Sequence, residues 1–325
     1  MTRPRIAFFG TPAFAVSSLE AMHRLGDVVA VVCQPDKPVG RGLHLTPPPV
    51  KVCALALGLA VHQPTKLRTA EFAEWMRSLN ADVAVVVAYG RILPRAVLDG
   101  ARLGFVNVHA SLLPRWRGAA PIQWAVLSGD SQTGVALMQL DEGLDTGKVF
   151  AVCTTPIGPN ESSGELFERL APMGAELLER ELTAYLDGRS VLVSQDNSLA
   201  THARMLTKSD GVLDWNAPAT AVQQRVLGVT PWPGATTTAR GKLVKVHAVR
   251  THSLAPNHAP NHAANHAANN APGTVLRADK TIVLVAAKTG AVELVTVQLE
   301  GKKPIKAGDW VLGRGVAEGD ILGVA

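Results

Sequence analysis

Three polar residues in this chain have the types and spacing needed for chemistry at a carbonyl group. Asn107 and His109 end a short apolar run, and side chains two residues apart lie on the same face of a strand. Asp145 lies between Gly143 and Gly147, where the chain can turn sharply and hold a carboxylate beside another strand end. An amide, an imidazole and a carboxylate can act together on a carbonyl under nucleophilic attack. The set therefore predicts an acyl or formyl transferase.

Each residue type has a separate use in such a reaction. The carbonyl oxygen becomes an oxyanion, and one pre-placed hydrogen-bond donor typically contributes about 3–4 kcal/mol to its stabilisation. Asn107 and His109 can donate, while Asp145 can accept the proton of an attacking amine and favour the charged, donating form of His109. No serine or cysteine nucleophile is needed, because the amine itself attacks. Taken singly, each residue is more often a turn former or a satisfied polar group, so the prediction depends on their combination.

Length and composition describe a globular protein of two domains. The chain has 325 residues, of which 47% are apolar and 18% charged, enough for two buried cores. Its apolar runs are too short to cross a bilayer, and no signal-peptide hydrophobic region precedes the first strand, so a cytoplasmic protein is expected. The three cysteines form no CxxC pair, which suggests neither a disulfide framework nor a zinc site.

Alternating apolar strands and amphipathic helices predict an α/β first domain. Helical spacing separates the strand-like runs, which cover residues 5–9, 28–32, 83–87 and 105–108. This order is typical of a Rossmann-like, mostly parallel sheet with helices on both faces. Ligand sites in such sheets lie beyond the carboxyl ends of strands, where Asn107 and His109 stand. The first strand–helix turn lacks GxGxxG, which argues against a dinucleotide-dependent dehydrogenase.

The C-terminal part differs in pattern and in charge. We predict a catalytic domain over 1–189, a linker over 190–203 and, over 204–325, short strands that form a small OB-like β-barrel. From residue 201 onward there are 14 Lys and Arg against 8 Asp and Glu, whereas the first 200 residues hold 18 against 19. The excess positive charge predicts a polyanion partner, with nucleic acid the leading candidate and ordinary solubility charge the alternative.

Two irregular segments interrupt these domains. A loop over 34–49, dense in Pro and Gly, carries Lys37 and Arg41 and is either functional or a tolerated surface insertion. An Asn/His/Ala/Pro repeat over 255–270 has almost no charge and no large apolar side chain, which predicts a disordered hairpin extension. Its Asn and Pro content disfavours the helix that would align its histidines, so no metal site is expected.

The Asn-x-His-x-Ser-Leu-Leu-Pro run at 107–114 and the Asp-x-Gly-x-Asp-x-Gly motif at 141–147 resemble the folate-dependent formyltransferases. The resemblance implies that Asn107, His109 and Asp145 are the catalytic set and that 10-formyltetrahydrofolate is the formyl donor, without a metal. It also implies a folate site whose lining or border includes Ser111, Leu112, Leu113, Pro114, Tyr89, Gly90, Arg91 and Leu93, together with the 140–144 loop.

Within this family, the chain is most similar to the members that formylate methionine on initiator tRNA. The similarity is carried by the stretches at 6–12, 34–42, 115–123, 208–215 and 231–234. It implies that the partners are initiator methionyl-tRNA and folate and that Arg41 lies on a loop near the acceptor end of the tRNA. A monomer without a membrane partner is expected. The expected phosphate contacts are Lys37, Arg41, Lys242, Lys245, Lys302, Lys303 and Lys306.

Several other functions keep part of this pattern. The acceptor could be a sugar-nucleotide amine or glycinamide ribonucleotide, but neither acceptor explains a basic second domain together with a tRNA-reaching loop. Water as acceptor would make the protein a hydrolase that uses the same three residues. A tRNA-binding protein with an inactive transferase domain is the non-enzyme alternative, and the presence of all three polar residues argues against it.

Overall fold

A computed structural model describes residues 3–39, 42–252 and 270–324 of the chain. They form two compact units. The first unit comprises residues 1–121, 132–156 and 166–204, and the second comprises residues 122–131, 157–165 and 205–325.

Helices and strands alternate through the first part of the chain, and short strands dominate the last part. In chain order, the strands are β1 (Arg5–Gly10), β2 (Asp27–Val32), β3 (Lys37–Val39), β4 (His44–Thr46), β5 (Val61–His62), β6 (Val83–Val87), β7 (Phe105–His109), β8 (Arg117–Gly118), β9 (Gln132–Gln139), β10 (Val149–Pro156), β11 (His202–Ala203), β12 (Ala235–Ala239), β13 (Lys242–His252), β14 (Val275–Ala278), β15 (Val283–Ala286), β16 (Ala291–Leu299) and β17 (Ile305–Lys306). The helices are α1 (Val16–Leu25), α2 (Pro49–Ala56), α3 (Ala70–Ser78), α4 (Arg95–Leu98), α5 (Pro121–Leu127), α6 (Ser163–Leu186), α7 (Ala219–Gly228) and α8 (Ala307–Leu312).

The first unit is built on a seven-stranded sheet with the order β10-β9-β7-β6-β1-β2-β5. β1, β2, β5, β6 and β7 are parallel, whereas β9 and β10 are antiparallel. The prediction of a mostly parallel sheet is therefore confirmed. β7 lies between β6 and β9, with Asn107 opposite Val86 on one side and Met138 on the other. This register places the residues expected to do chemistry between β6 and β9.

Aromatic packing fixes the ends of β1, β6 and β7. The ring of Phe9 lies 5.5 Å from that of Tyr89 and 5.4 Å from that of Phe105, centroid to centroid. All three side chains are buried, and burying such a side chain typically contributes about 1.5–3 kcal/mol. Tyr89 lies two residues beyond the end of β6, so this cluster anchors the loop expected to border the folate site.

The predicted irregular loop after β2 contains a small hairpin. β3 and β4 pair antiparallel, with Lys37 opposite Thr46. Below the hairpin, Lys51 Nζ lies 2.8 Å from Asp36 Oδ2, and the Lys51 hydrogen bond holds the pKa of the Asp36 carboxyl below its usual range. The composition of the segment gave no alternation from which these short strands could be predicted.

The second unit contains an antiparallel sheet with the order β12-β13-β16-β15-β14, and β17 also pairs with β16. Its core includes Trp215, Val226 and Trp310, and the indole Nε1 of Trp215 donates to Thr237 Oγ1 at 3.0 Å. The arrangement fits the small barrel-like domain predicted. The repeat prediction falls on residues that lie outside the described ranges, apart from Asn270.

No helix in the described ranges is both long enough and apolar enough to span a bilayer.

Candidate functional site

The strand β7 carries two polar side chains among apolar ones. All five of its residues are buried, including Asn107 and His109. Asp145 lies on the loop between β9 and β10 and has a φ of 53°, a left-handed conformation that aspartate tolerates better than most residues. The loop leaves β9 beside the start of β7, where the Leu140 N–H donates to the Phe105 carbonyl, and it returns so that Asp145 faces Asn107 and His109. The structure thus brings the three predicted catalytic residues together.

The hydrogen bonding of His109 assigns its tautomer. Its Nε2 lies 2.9 Å from the carbonyl oxygen of Trp116. A carbonyl oxygen can only accept, so Nε2 carries a hydrogen and donates it. The other ring nitrogen, Nδ1, faces Asp145 Oδ2 at 3.7 Å, a separation longer than a hydrogen bond. Only Nδ1 can therefore exchange a proton with a reacting group, and His109 can donate to an oxyanion only when that nitrogen is protonated.

The carboxylate of Asp145 is held from two directions. Its Oδ2 accepts a hydrogen bond of 2.8 Å from the backbone N–H of Gly118. The Asn107 Nδ2 approaches Oδ1 at 3.5 Å, a long contact that leaves the amide able to turn toward a substrate oxygen. The side chains of His109 and Asp145 are only 6% and 12% exposed. Limited solvent access strengthens every electrostatic interaction within this group.

Two residues that the sequence reasoning missed support Asp145 from behind. Gln195 Nε2 donates to the backbone carbonyls of Asp145 and Gly147, at 2.8 Å each. Gln195 Oε1 accepts from the guanidinium of Arg117, which is buried. Gln195 lay in the predicted linker, where a polar residue carries no signal, and Arg117 was part of a family-like stretch without an assigned role.

The segments expected to border folate lie beside this group, but their side chains differ in access. Ser111 is fully buried and its hydroxyl donates to the Arg115 carbonyl at 2.6 Å. The next three residues of that segment are partly exposed: Leu112, Leu113 and Pro114. The contribution of Ser111 to a ligand pocket is therefore limited to shaping its wall.

The loop after β6 combines buried and exposed residues. Gly90 and Arg91 are exposed, whereas Tyr89 and Leu93 are buried, and burial raises the pKa of the Tyr89 phenol. Gln34 Nε2 donates to the Tyr89 carbonyl at 2.9 Å, which helps to fix the loop.

A separate cavity of about 470 Å³ lies next to the end of β5. Its wall includes His62, Lys66, Phe72 and Trp75. None of the predicted catalytic or folate-bordering residues lines it, so it is distinct from the candidate site.

The predicted phosphate contacts fall into two groups. Lys37 is exposed on β3, and Arg41 lies outside the part of the chain that the structure describes. The second unit holds the other five, all exposed: Lys242, Lys245, Lys302, Lys303 and Lys306. The pairing of Lys245 with Gln298 sets the start of β13 beside the end of β16. These lysines therefore gather around one end of the sheet, at the β12–β13 and β16–β17 turns.

In the described ranges, no group of three or more His, Cys, Asp or Glu side chains is arranged to hold a metal ion.

Comparison with known proteins identifies both halves of the chain. The formyl transferase family pattern matches residues 4–182, and the formyl transferase C-terminal domain pattern matches residues 205–315. The "Methionyl-tRNA formyltransferase" of Sorangium cellulosum is 49% identical over 98% of this chain and 99% of its own length. The protein of the same name from Myxococcus xanthus is 50% identical over 98% of both chains.

A solved structure shares the fold at much lower identity. The N-formyltransferase of Helicobacter canadensis, in complex with folinic acid and dTDP-3-aminofucose, superposes with a TM-score of 0.64 at 15% identity. The match covers 90% of this chain and 99% of that one.

Proposed function

The chain belongs to the formyl transferase family, and from this premise we propose that it transfers the formyl group of 10-formyltetrahydrofolate to the free amino group of methionyl initiator tRNA. The observation that carries the choice of acceptor is the extent of the similarity. Relatives named for this activity match the chain at 49–50% identity through both units. The relative that binds an amino sugar nucleotide shares only the fold, at 15% identity.

We assign the bond-making step to the group at the end of β7. The amine of methionine attacks the formyl carbon, and the carbonyl oxygen becomes an oxyanion. Asn107 Nδ2 donates to this oxygen, since its present contact with Asp145 is long. Protonated His109 donates from Nδ1, because its Nε2 hydrogen is engaged by Trp116. Hydrogen bonds to a developing oxyanion are usually the largest single contribution to catalysis in such sites.

Proton transfer completes the reaction without any other reagent. The new bond joins the amine nitrogen to the formyl carbon, and the bond from that carbon to the folate nitrogen breaks. One proton leaves the amine and one joins the folate nitrogen, so the exchange balances. Asp145 and His109, whose facing atoms lie 3.7 Å apart, are the groups proposed to carry this proton.

The two substrates are proposed to meet at this edge of the sheet. We expect the pterin beside the loop of Tyr89, Gly90, Arg91 and Leu93 and the partly exposed Leu112–Pro114 segment. The lysines at one end of the second unit's sheet offer phosphate contacts for the tRNA, as does Lys37. We further expect a cytoplasmic monomer, for which size-exclusion chromatography with light scattering is the test of the oligomeric state.

The proposed acceptor is tested by competition. Purified protein and 10-formyltetrahydrofolate are incubated with methionyl initiator tRNA or with an amino sugar nucleotide, and kcat/KM is measured for each. The proposal predicts formylmethionyl-tRNA as the efficient product and little reaction with the sugar. A higher kcat/KM for the sugar, or formyl release to water in the presence of both, would reject it.

The proposed tRNA loop is tested separately. Arg41→Ala should raise the KM for tRNA far more than it weakens folate binding, because Arg41 is proposed to contact only the tRNA. Equal losses for both substrates would contradict this role.

A further inference from the structure

Residues 195–203 run back along the candidate site, within the first unit. β11 pairs in parallel with β8, setting His202 beside Arg117 and Ala203 beside Gly118. The Thr201 hydroxyl accepts from the backbone N–H of Trp116 at 2.9 Å, and the Thr201 carbonyl accepts from that of Arg117. This stretch therefore holds the 116–118 segment in place.

The 116–118 segment in turn orients both titratable groups of the site. The Trp116 carbonyl accepts the Nε2 hydrogen of His109, and the Gly118 N–H donates to Asp145. Trp116 has a φ of 63°, a left-handed conformation that costs about 1–2 kcal/mol for a residue with a side chain. Such a conformation persists only when its surroundings hold it.

Gln195 joins this segment to the loop that carries Asp145. Its two amide hydrogens go to the carbonyls of Asp145 and Gly147, and its oxygen accepts two hydrogen bonds from Arg117, at 3.1 and 2.8 Å. Arg117 also donates to Asn197 Oδ1 at 2.9 Å. Burying a guanidinium costs free energy unless the group is hydrogen-bonded. Arg117 therefore holds Gln195 in place, just as Gln195 holds the loop that carries Asp145. One glutamine thus ties together the two segments that set His109 and Asp145.

We propose that Gln195 is a positioning residue for formyl transfer, which acts by fixing the backbone of Asp145 so that its carboxylate faces His109. This inference rests on the proposed function for its chemistry. Gln195 contacts no reacting atom. It keeps the left-handed Asp145, whose φ is 53°, from relaxing and turning its carboxylate away. A displacement of about 1 Å at a reacting group can lower a rate about 100-fold.

The decisive variant is Gln195→Glu, with Gln195→Ala beside it. Glutamate keeps the oxygen that accepts from Arg117 but loses both donors to the loop. If Gln195 were needed only for folding, through its hydrogen bonds with Arg117, glutamate would be tolerated at this position. A positioning residue would not tolerate it, because the second carboxylate oxygen would face the two carbonyl oxygens that Gln195 Nε2 now holds at 2.8 Å. We therefore expect kcat to fall by about 10- to 100-fold in both variants, with the folate dissociation constant close to wild type. Should Gln195→Glu fold poorly, Gln195→Met keeps the volume and removes the same donors.

Gln139→Ala is the matched control. Gln139 is a partly buried glutamine of the same unit whose Nε2 donates to the Tyr185 hydroxyl at 3.0 Å. Its loss removes a buried amide contact away from Asp145 and should leave kcat unchanged.

A double-mutant cycle with Asp145→Asn identifies the route of the effect. If Gln195 acts through the Asp145 carboxylate, Gln195→Ala should lower kcat little further once that carboxylate has been removed. Additive losses, or a Gln195→Glu variant with wild-type kcat, would overturn the proposal. The cycle is run with whichever amine acceptor the wild-type protein uses. If the wild-type protein formylates another amine but not methionyl-tRNA, the proposed acceptor is refuted. The cycle then tests the role of Gln195 with that other amine.

Discussion

Replacing Asp145 with asparagine removes one negative charge from the Asp145–His109 pair, which is mostly shielded from solvent, and keeps the size of the side chain. The carboxylate oxygen Oδ2 lies 3.7 Å from His109 Nδ1 and 2.8 Å from the Gly118 nitrogen. An amide oxygen can still accept from Gly118, so the loop should keep its place. The variant therefore tests the charge of Asp145 rather than its packing.

The distance gives the size of the effect. Two unit charges 3.7 Å apart interact by about 4.5 kcal/mol at an effective dielectric constant of about 20, and by about 1 kcal/mol in bulk water. The site is mostly closed to solvent, so the interaction is expected to lie nearer the first of these two values. A loss of about 3–4 kcal/mol is expected, and since about 1.4 kcal/mol is tenfold in rate, kcat should fall by roughly 100- to 1,000-fold.

The assay is single-turnover formyl transfer with saturating tRNA and folate, so that binding does not limit the rate. Asp99→Asn is the control, because Asp99 is a carboxylate of the same unit that is paired with Arg95 at the surface. It should retain wild-type activity. A loss of less than about threefold in Asp145→Asn, well under 1 kcal/mol, would refute the assigned role of this charge.

Three further predictions follow from the same geometry and burial. His109→Ala should lower turnover by at least about 100-fold, as expected for an oxyanion donor, with folate affinity measured by calorimetry nearly kept; a mild loss would remove His109 from the mechanism. Lys245→Ala should reduce the slope of log tRNA affinity against log salt by about 0.7–0.9, the amount for one phosphate contact, and an unchanged slope would exclude this contact. Burial raises the pKa of the Cys33 thiol to about 11, so its reactive thiolate is scarce at pH 8. Cys33 should therefore react with a thiol reagent at that pH only after unfolding. Rapid labelling of Cys33 in the native protein, located by peptide mapping, would contradict the burial.

Continuous apolar runs made the sheet of the first unit predictable. β6 and β7 were expected at 83–87 and 105–108 and are observed at Val83–Val87 and Phe105–His109. Helix-like sequence over 163–186 likewise predicts a helix, and α6 is observed at Ser163–Leu186. In the second unit, β12 and α7 were not predicted. The Ala-Thr sequence of β12 shows no alternation of apolar and polar residues, whereas α7 and its C-cap carry an apolar stripe of Val222, Val226 and Val229 that was missed.

Long-range contacts explain what the sequence could not reveal at the site. Side-chain alternation indicated that Asn107 and His109 share one face, but no local rule connects either residue with Gln195, which follows them by more than 80 positions. The tautomer of His109 depends on a carbonyl that points inward because Trp116 has a left-handed backbone. Such backbone conformations are set by tertiary packing and not by the identity of a single residue.

The most direct test of the account is a crystal structure of the protein with 5-formyltetrahydrofolate bound. The account predicts that the pterin lies beside the loop at 89–93 and that the formyl group reaches the end of β7. Asn107 Nδ2 and His109 Nδ1 should both then lie about 3 Å from the formyl oxygen, within hydrogen-bonding distance. A folate bound in the separate cavity beside His62 and Trp75, or a formyl group out of reach of Asn107, His109 and Asp145, would contradict it.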